Sequence, residues 1–246
     1  IRETLRLAGM PGLLLAGLTL ALETGTYLAA RACGGGPVPA TLAALAVSVS
    51  WIALAAPAVG TSGRSGWTWL LRIGILTDVS GVALLLLWGL QAATEGPACL
   101  SFLSILKCYC VFVAVALAAG ALPRCARQRP MRCALAGLSG AFVALVLASP
   151  FWVGAVLAGL SYGARGSVVN LAVSANPFYA ITAALAERAG FVWHLSPILY
   201  GVTWIGDQAP APVPAWHGPV LFFGAVAAAA GLIAGLRKRR TPPDPA

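Results

Sequence analysis

Long apolar runs recur along the sequence and constrain what it can fold into. Two examples are "GVALLLLWGL", residues 81–90, and "VFVAVALAAGAL", residues 111–122. An α-helix needs about 20 such residues to cross the hydrocarbon core of a bilayer. In lipid, helices and closed barrels are the structures that satisfy every backbone amide internally. The pattern therefore predicts an all-α fold, a polytopic bundle of transmembrane helices.

The charge content agrees with a membrane protein. Only 9% of the 246 residues are charged and 59% are apolar, whereas a soluble domain carries about 25% charged residues. The formal net charge of +9 does not indicate nucleic acid, because the cations lie in short clusters between apolar runs, as in membrane loops. We therefore expect the bilayer as partner, no nucleic acid, and a multi-pass position in the cell membrane, such as a bacterial inner membrane.

Six spans are predicted within a single membrane domain, residues 1–246. Residues 1–11 are expected to form a juxtamembrane segment, 12–149 to hold spans one to five, and 217–246 the last span with a basic tail. Residues 151–216 alternate short apolar pieces with Pro, Gly and Trp. They are expected to form short helices or re-entrant pieces on the outer side, with two further crossings as the alternative. The predicted spans cover about residues 12–30, 40–59, 67–90, 98–122, 133–149 and 220–236.

The distribution of cations predicts the orientation. The strongest clusters are Arg124–Arg132, after the fourth span, and Arg237–Arg240, after the last. Cytoplasmic loops carry an excess of Lys and Arg, so both clusters should be cytoplasmic. Arg64, between the second and third spans, agrees, and the loop between the third and fourth spans has no cation. Both termini are therefore expected in the cytoplasm, which requires an even number of crossings.

Three ionisable residues fall deep in predicted spans: Glu23, Asp78 and Lys107. Each would cost about 2.5–3.5 kcal/mol if it faced lipid, so all three are expected to face the interior of the bundle. Small or polar residues one turn away mark sides where a second helix can approach closely. These neighbours are Thr19 and Thr26, Gly74 and Gly81, and Ser104 and Cys110.

The third and fourth spans should be antiparallel around a turn near Gly96. Counting back at about 1.5 Å per residue places Asp78 roughly 25 Å and Lys107 roughly 16 Å from that turn. The length of the lysine side chain covers much of this difference. We therefore expect Asp78 to pair with Lys107, with Glu23 as a third member of an intramembrane charged network. Two roles stay open: a structural pair that fixes helix register, or part of a transport path.

Patterns for catalysis or cofactor binding are weak. "GLSGA", residues 137–141, contains Ser139, but a nucleophilic serine needs a base within reach, and His194 and His217 are predicted at the opposite side. A helix-packing face is the better interpretation. Cys108 and Cys110 lack the further ligands of a zinc site, and no phosphate-binding loop occurs. No catalytic residue, metal or cofactor is therefore assigned, and an enzyme is not expected.

The region before the last span contains "SANPFYAITAAL", residues 174–185, and "SPILYGVTWIGD", residues 196–207. With this region in place, the layout of the whole chain resembles an ABC-2 type membrane subunit, the permease half of an ABC exporter. That family has six spans, cytoplasmic termini, and short outer-side helices between the fifth and sixth spans. It has no invariant catalytic residue to carry over. The chain departs from it in the very short loop between the second and third spans, where an ATPase-docking helix would lie.

The resemblance implies that the protein does no chemistry itself. A separate cytoplasmic ATP-binding-cassette ATPase would dock on it, and two permease subunits, identical or different, would enclose a path for an outward-moving substrate. The alternative is a non-catalytic structural or accessory subunit of a membrane complex, in which the charged residues are architectural. A proton-coupled carrier ranks below both, because it would have inverted repeats, and the two halves show no convincing similarity.

Overall fold

The protein is described by a computed structural model that covers residues 2–34, 36–62, 66–95, 101–189 and 215–239. Within these ranges every regular element is a helix, and a short 3₁₀ turn, Leu122–Cys125, follows the fourth. The helices are α1 (Arg2–Ala32), α2 (Pro37–Ser62), α3 (Gly66–Glu95), α4 (Phe102–Ala121), α5 (Arg129–Leu147), α6 (Ser149–Ala158), α7 (Tyr162–Ala175), α8 (Pro177–Ala189) and α9 (His217–Arg239).

Five segments among these helices are long and apolar enough to cross a membrane: Ala40–Thr61, Gly66–Ala93, Phe102–Cys125, Arg129–Leu147 and His217–Arg237. The pair α7 and α8 also qualifies when taken together, but it bends by 70° at the break between the two helices. It is a broken sixth span or a re-entrant element. The prediction of a multi-pass helical fold is confirmed at this level, and the cytoplasmic position of the termini stays a prediction.

The predicted first span, residues 12–30, falls within α1. This helix begins at Arg2 and continues through Pro11, so the segment predicted as juxtamembrane is helical from Arg2 onward. Neighbouring groups can satisfy the carbonyl that a proline leaves unpaired in a membrane helix. The side chains of α1 are described from Ala16 onward. Helix α1 is not one of the five segments named above as long and apolar enough to cross a membrane.

Helix α4 forms the centre of the core. It packs against α2, α3, α8 and α9, and Phe112, Val115 and Ala119 on it are fully buried. At the end of α4 the backbone of α2 comes into direct contact. A Cβ atom on Gly60 would overlap the carbonyl oxygen of Gly120, and one on Gly120 would lie 3.2 Å from the carbonyl oxygen of Ala56. Small residues permit this close crossing.

The chain after α5 is interrupted three times before the end of α8: at Ala148, at residues 159–161 and at Asn176. The first and third breaks lie beside Pro150 and Pro177, as those prolines predict. The side chain of Asn176 joins these two breaks. Its Nδ2 atom donates to the carbonyl oxygen of Val146 and to Oγ of Ser149, each at 2.9 Å. Its Oδ1 atom accepts a hydrogen bond from the backbone N–H of Phe178 at 2.8 Å and so caps α8. The bend between α7 and α8 is therefore held against the end of α5.

Candidate functional site

A buried carboxylate lies where α1, α2 and α3 meet. Glu23 on α1 is only 1% exposed, and the hydroxyls of Ser48 on α2 and Ser80 on α3 face it. Among the described residues, neither carboxylate oxygen of Glu23 has a partner at hydrogen-bonding geometry, and the same holds for Oγ of Ser80. An uncompensated polar group in such surroundings is costly, so this position can attract a proton or a small cation.

Further polar residues continue from Glu23 in both directions along α1. Towards its N-terminus, Oγ1 of Thr19 accepts a hydrogen bond from Nε1 of Trp51 at 2.8 Å. Towards its C-terminus, the hydroxyl of Tyr27 accepts from Nε2 of Gln91 at 3.5 Å.

Thr19, Glu23 and Tyr27 are four residues apart, a spacing that places them on one face of α1. On α2, Thr41 also accepts a hydrogen bond from Nε2 of Gln91. The polar side chains therefore form a continuous line between the three helices. We call it the polar seam; its members are Thr19, Glu23, Tyr27, Thr41, Ser48, Trp51, Ser80 and Gln91.

The sequence pointed to only part of the polar seam. It singled out Glu23 and its neighbour Thr19, but Ser48, Ser80 and Gln91 were missed. A signal was available, since Thr41 and Ser48 are seven residues apart, as expected for one face of a helix. Gln91 was placed just outside the predicted third span, whereas α3 continues to Glu95.

The second predicted carboxylate, Asp78, lies in different surroundings. It is on the exposed side of α3, and the hydroxyl of Tyr109 on α4 donates a hydrogen bond to its Oδ1 atom at 2.6 Å. It was expected to face the interior. Ser80 occupies that inward side instead, because residues two positions apart in a helix differ by about 200° around its axis.

Lys107 lies on α4 and is half-buried. It precedes Tyr109 by two positions, so it lies about 200° around the helix axis from the residue that contacts Asp78. Glu23 and Asp78 are therefore in separate surroundings, one in the polar seam and one on the outer side of α3. The pairing of Lys107 with Asp78, and the network of all three, stay predictions.

Asp78 and Tyr109 stand at one end of a groove between α3 and α4. The groove has a volume of about 320 Å³, within the range of about 300–1,000 Å³ typical of small-molecule sites. Gly81 lets the tyrosine ring lie against α3, because a Cβ atom there would be 2.8 Å from Cε2 of Tyr109. The remaining lining is apolar: Val82, Leu85, Phe102, Ile105 and Leu106.

Arginines collect at the end of the bundle after α4. The guanidinium carbon of Arg124 lies 5.2 Å from the centre of the Trp69 ring on α3, a cation–π contact. Nε of Arg132 donates to the carbonyl oxygen of Ala126 at 2.9 Å, and Arg237 donates to that of Cys125. We call this surface the basic end. It coincides with the two clusters that were predicted to be cytoplasmic.

Ser139 has the packing role that was expected for "GLSGA". It is buried, and its Oγ atom donates to the carbonyl oxygen of Ala119 on α4 at 2.9 Å. His217, at the start of α9, is exposed, and His194 lies outside the described residues. In the described part of the chain, no three His, Cys, Asp or Glu side chains are placed to hold a metal ion.

Five apolar helices, or six with the bent pair, place the chain in the class of multi-pass helical membrane proteins. Comparison of the chain with known protein families, with curated proteins and with solved structures found no match. The function is therefore argued from the geometry alone.

Proposed function

We propose that the protein is a permease-type membrane subunit of an ATP-driven exporter, and that the ATPase is a separate cytoplasmic protein. The observation that carries this proposal is Glu23, a carboxylate buried where three helices meet and faced by the neutral hydroxyls of Ser48 and Ser80. Ionisable residues inside membrane segments are costly, and membrane proteins use them mainly in paths for substrates, ions or protons.

The polar seam supplies what such a path needs. Its hydroxyl, amide and carboxyl groups come from three different helices, so a shift of one helix changes which of them meet. Around Glu23 itself, Ser48 donates to the carbonyl oxygen of Ala44, within its own helix. The carboxylate of Glu23 therefore meets α2 and α3 through neutral hydroxyl groups, those of Ser48 and Ser80.

Two features of the fold support the proposal of an exporter subunit that is driven by a separate ATPase. The bent pair α7 and α8 precedes α9, the last described helix, which is the arrangement of the ABC-2 type subunits that the sequence resembles. At the basic end, Arg127 and Arg129 are exposed. Two exposed cations beside a rigid turn suit an ATPase whose docking surface is acidic.

A second membrane subunit is part of the proposal. In the apolar stretches of α5 and α9 only 17% of the residues are buried inside the protein, whereas 56% are buried in that of α4. Phe142 on α5 and Phe222 on α9 stack with 6.3 Å between ring centres, so the exposed faces of the two helices meet at this pair. A second copy or a related subunit would cover these faces. The same surface would also suit the alternative, a structural or accessory subunit of a membrane complex.

Purification from native membranes in mild detergent, with mass spectrometry of the co-purifying proteins, separates these functions. The proposal expects a stoichiometric ATPase with a Walker A loop. Recovery of the protein alone, or with a complex that has no such ATPase, would rule out the exporter and favour the accessory subunit.

Once the ATPase has been co-purified, Glu23→Gln tests whether the polar seam takes part in transport. This change should lower substrate-stimulated ATP hydrolysis by roughly tenfold or more, as expected when a functional charge is removed, while the partner still co-purifies. Thr24→Val is the matched control, because Thr24 is exposed on the same helix. Equal hydrolysis in both variants would remove Glu23 from the mechanism.

A further inference from the structure

The groove between α3 and α4 contains a carboxylate at an unusual depth. Asp78 is the thirteenth residue of the segment Gly66–Ala93, which spans 28 residues, so it lies about 2 Å from the middle of that segment. It is also exposed on the surface of the chain. A charge on the outer side of a membrane helix at this depth is costly unless a compensating group comes to it.

The described residues that line the groove compensate this carboxylate only in part. Tyr109 donates one hydrogen bond to Oδ1, whereas a carboxylate has about four acceptor positions. A phenol is also neutral, so it leaves the negative charge in place. Of the residues that the structure describes, none that lines the groove is Lys, Arg or His. The described lining of the groove therefore supplies no positive charge to Asp78.

The shape of the groove restricts how that charge can arrive. From Asp78 its lining continues along α3 to Leu85, a distance of about 10 Å, between apolar walls that include Val82 and Leu106. Both wall residues are largely exposed, so the groove opens sideways. A phospholipid does not fit this arrangement, because its head group lies at the membrane surface rather than at mid-depth.

We propose that the groove binds a lipophilic cation, with an ammonium head on the Asp78 carboxylate and an apolar body along α3 and α4. Tyr109 is a positioning residue, since its hydrogen bond holds the carboxylate towards the groove. Gly81 positions Tyr109 in turn, because any side chain there would displace the ring. The inference is independent of the proposed function, because such a site binds with or without an ATPase.

Binding is measured on the full chain in lipid nanodiscs with tritiated dodecyltrimethylammonium, by scintillation proximity. Tritiated dodecanol, which has the same chain without the charge, reports partition into lipid. Wild-type protein should bind the cation saturably and the alcohol only non-saturably. Asp78→Asn should weaken the saturable component roughly tenfold or more, as expected for the loss of a charge-assisted contact. Asp78→Glu should keep a substantial part of it.

A second pair of variants tests the geometry without removing the charge. Gly81→Ala should weaken binding of the cation by displacing the ring of Tyr109. Gly74→Ala is the control on the same helix, because a Cβ atom there would have nothing within 4 Å. All variants must elute as the wild type does on size exclusion. A folded wild type that shows no saturable binding, or binding unchanged in Asp78→Asn, would overturn the proposal.

The competing occupant is a helix of another membrane protein that carries its own cation. Val82→Cys on the exposed edge of the groove tests this in native membranes with a short thiol-reactive cross-linker. Absence of a cross-linked product supports an open groove. Efficient capture of one specific protein would show that a partner covers the groove and would overturn the proposal.

Discussion

Nδ2 of Asn176 lies 2.9 Å from Oγ of Ser149 and thereby joins the start of α8 to the start of α6. The same nitrogen reaches the carbonyl oxygens of Val146 and Leu147 at the end of α5, where a helix leaves carbonyl groups without their usual intrahelical donors. One amide nitrogen, with two N–H donors, therefore lies within hydrogen-bond distance of three acceptors around a helix break. The break is a defined structure, and the contribution of Asn176 to it can be measured.

We expect Asn176→Ala to destabilise the protein by about 1–3 kcal/mol, because it removes a helix cap and takes a donor away from the buried Ser149 hydroxyl and from partly buried carbonyl groups. Thermal unfolding in nanodiscs, followed by tryptophan fluorescence, measures the effect. Asn170→Ala is the control, since Asn170 is exposed on α7. Equal melting temperatures for the two variants would show that the break is held by other contacts.

Gly60→Ala should destabilise the protein by about 1–3 kcal/mol, the usual cost of overpacking, because its new methyl group would overlap the backbone of Gly120. Gly25→Ala should be neutral or slightly stabilising, since a Cβ there has nothing within 4 Å and alanine favours helix by about 1 kcal/mol. Chemical denaturation in detergent compares the two. The same sign for both would contradict the close crossing of α2 and α4.

Gln91 and Thr41 should be energetically coupled, because their side chains are hydrogen-bonded between α3 and α2. A double-mutant cycle with Gln91→Leu and Thr41→Val isolates that coupling. We expect about 0.5–1.5 kcal/mol, the range found for hydrogen bonds between membrane helices. Strictly additive effects would mean that the two residues contribute independently.

Glu23→Gln should leave the protein at least as stable as the wild type. The groups described around its carboxylate are the neutral hydroxyls of Ser48 and Ser80, so removing the charge breaks no described ion pair and lowers the penalty of burial. Thermal unfolding of the two proteins gives the sign. A loss of about 3 kcal/mol or more would instead indicate a buried ion pair at Glu23.

The helices and their breaks were predictable because hydropathy and proline act locally. Which face of each helix turns towards the interior of the bundle was not predictable, and Asp78 shows why. In lipid the outer face of a helix is as apolar as its inner face, so the leucines of α3 do not indicate which way it is turned. That rotation depends on tertiary contacts such as Tyr109 against Gly81. The cost of a charge facing lipid predicted the inward side for both carboxylates; Glu23 follows that prediction, and Asp78 does not.

The contact between Gly60 and Gly120 has a mechanical consequence. With no side chain between the two backbones, α2 and α4 have little freedom to slide past each other at that point. The crossing can therefore act as a fulcrum, the fixed point about which α2 tilts relative to α4. Thr41 lies 19 positions from Gly60 along α2, roughly 28 Å away. A tilt of α2 by about 5° around the fulcrum would therefore move Thr41 by about 2.5 Å. This is enough to separate Thr41 from Gln91 and open one end of the polar seam, while the other end of α2 stays in place.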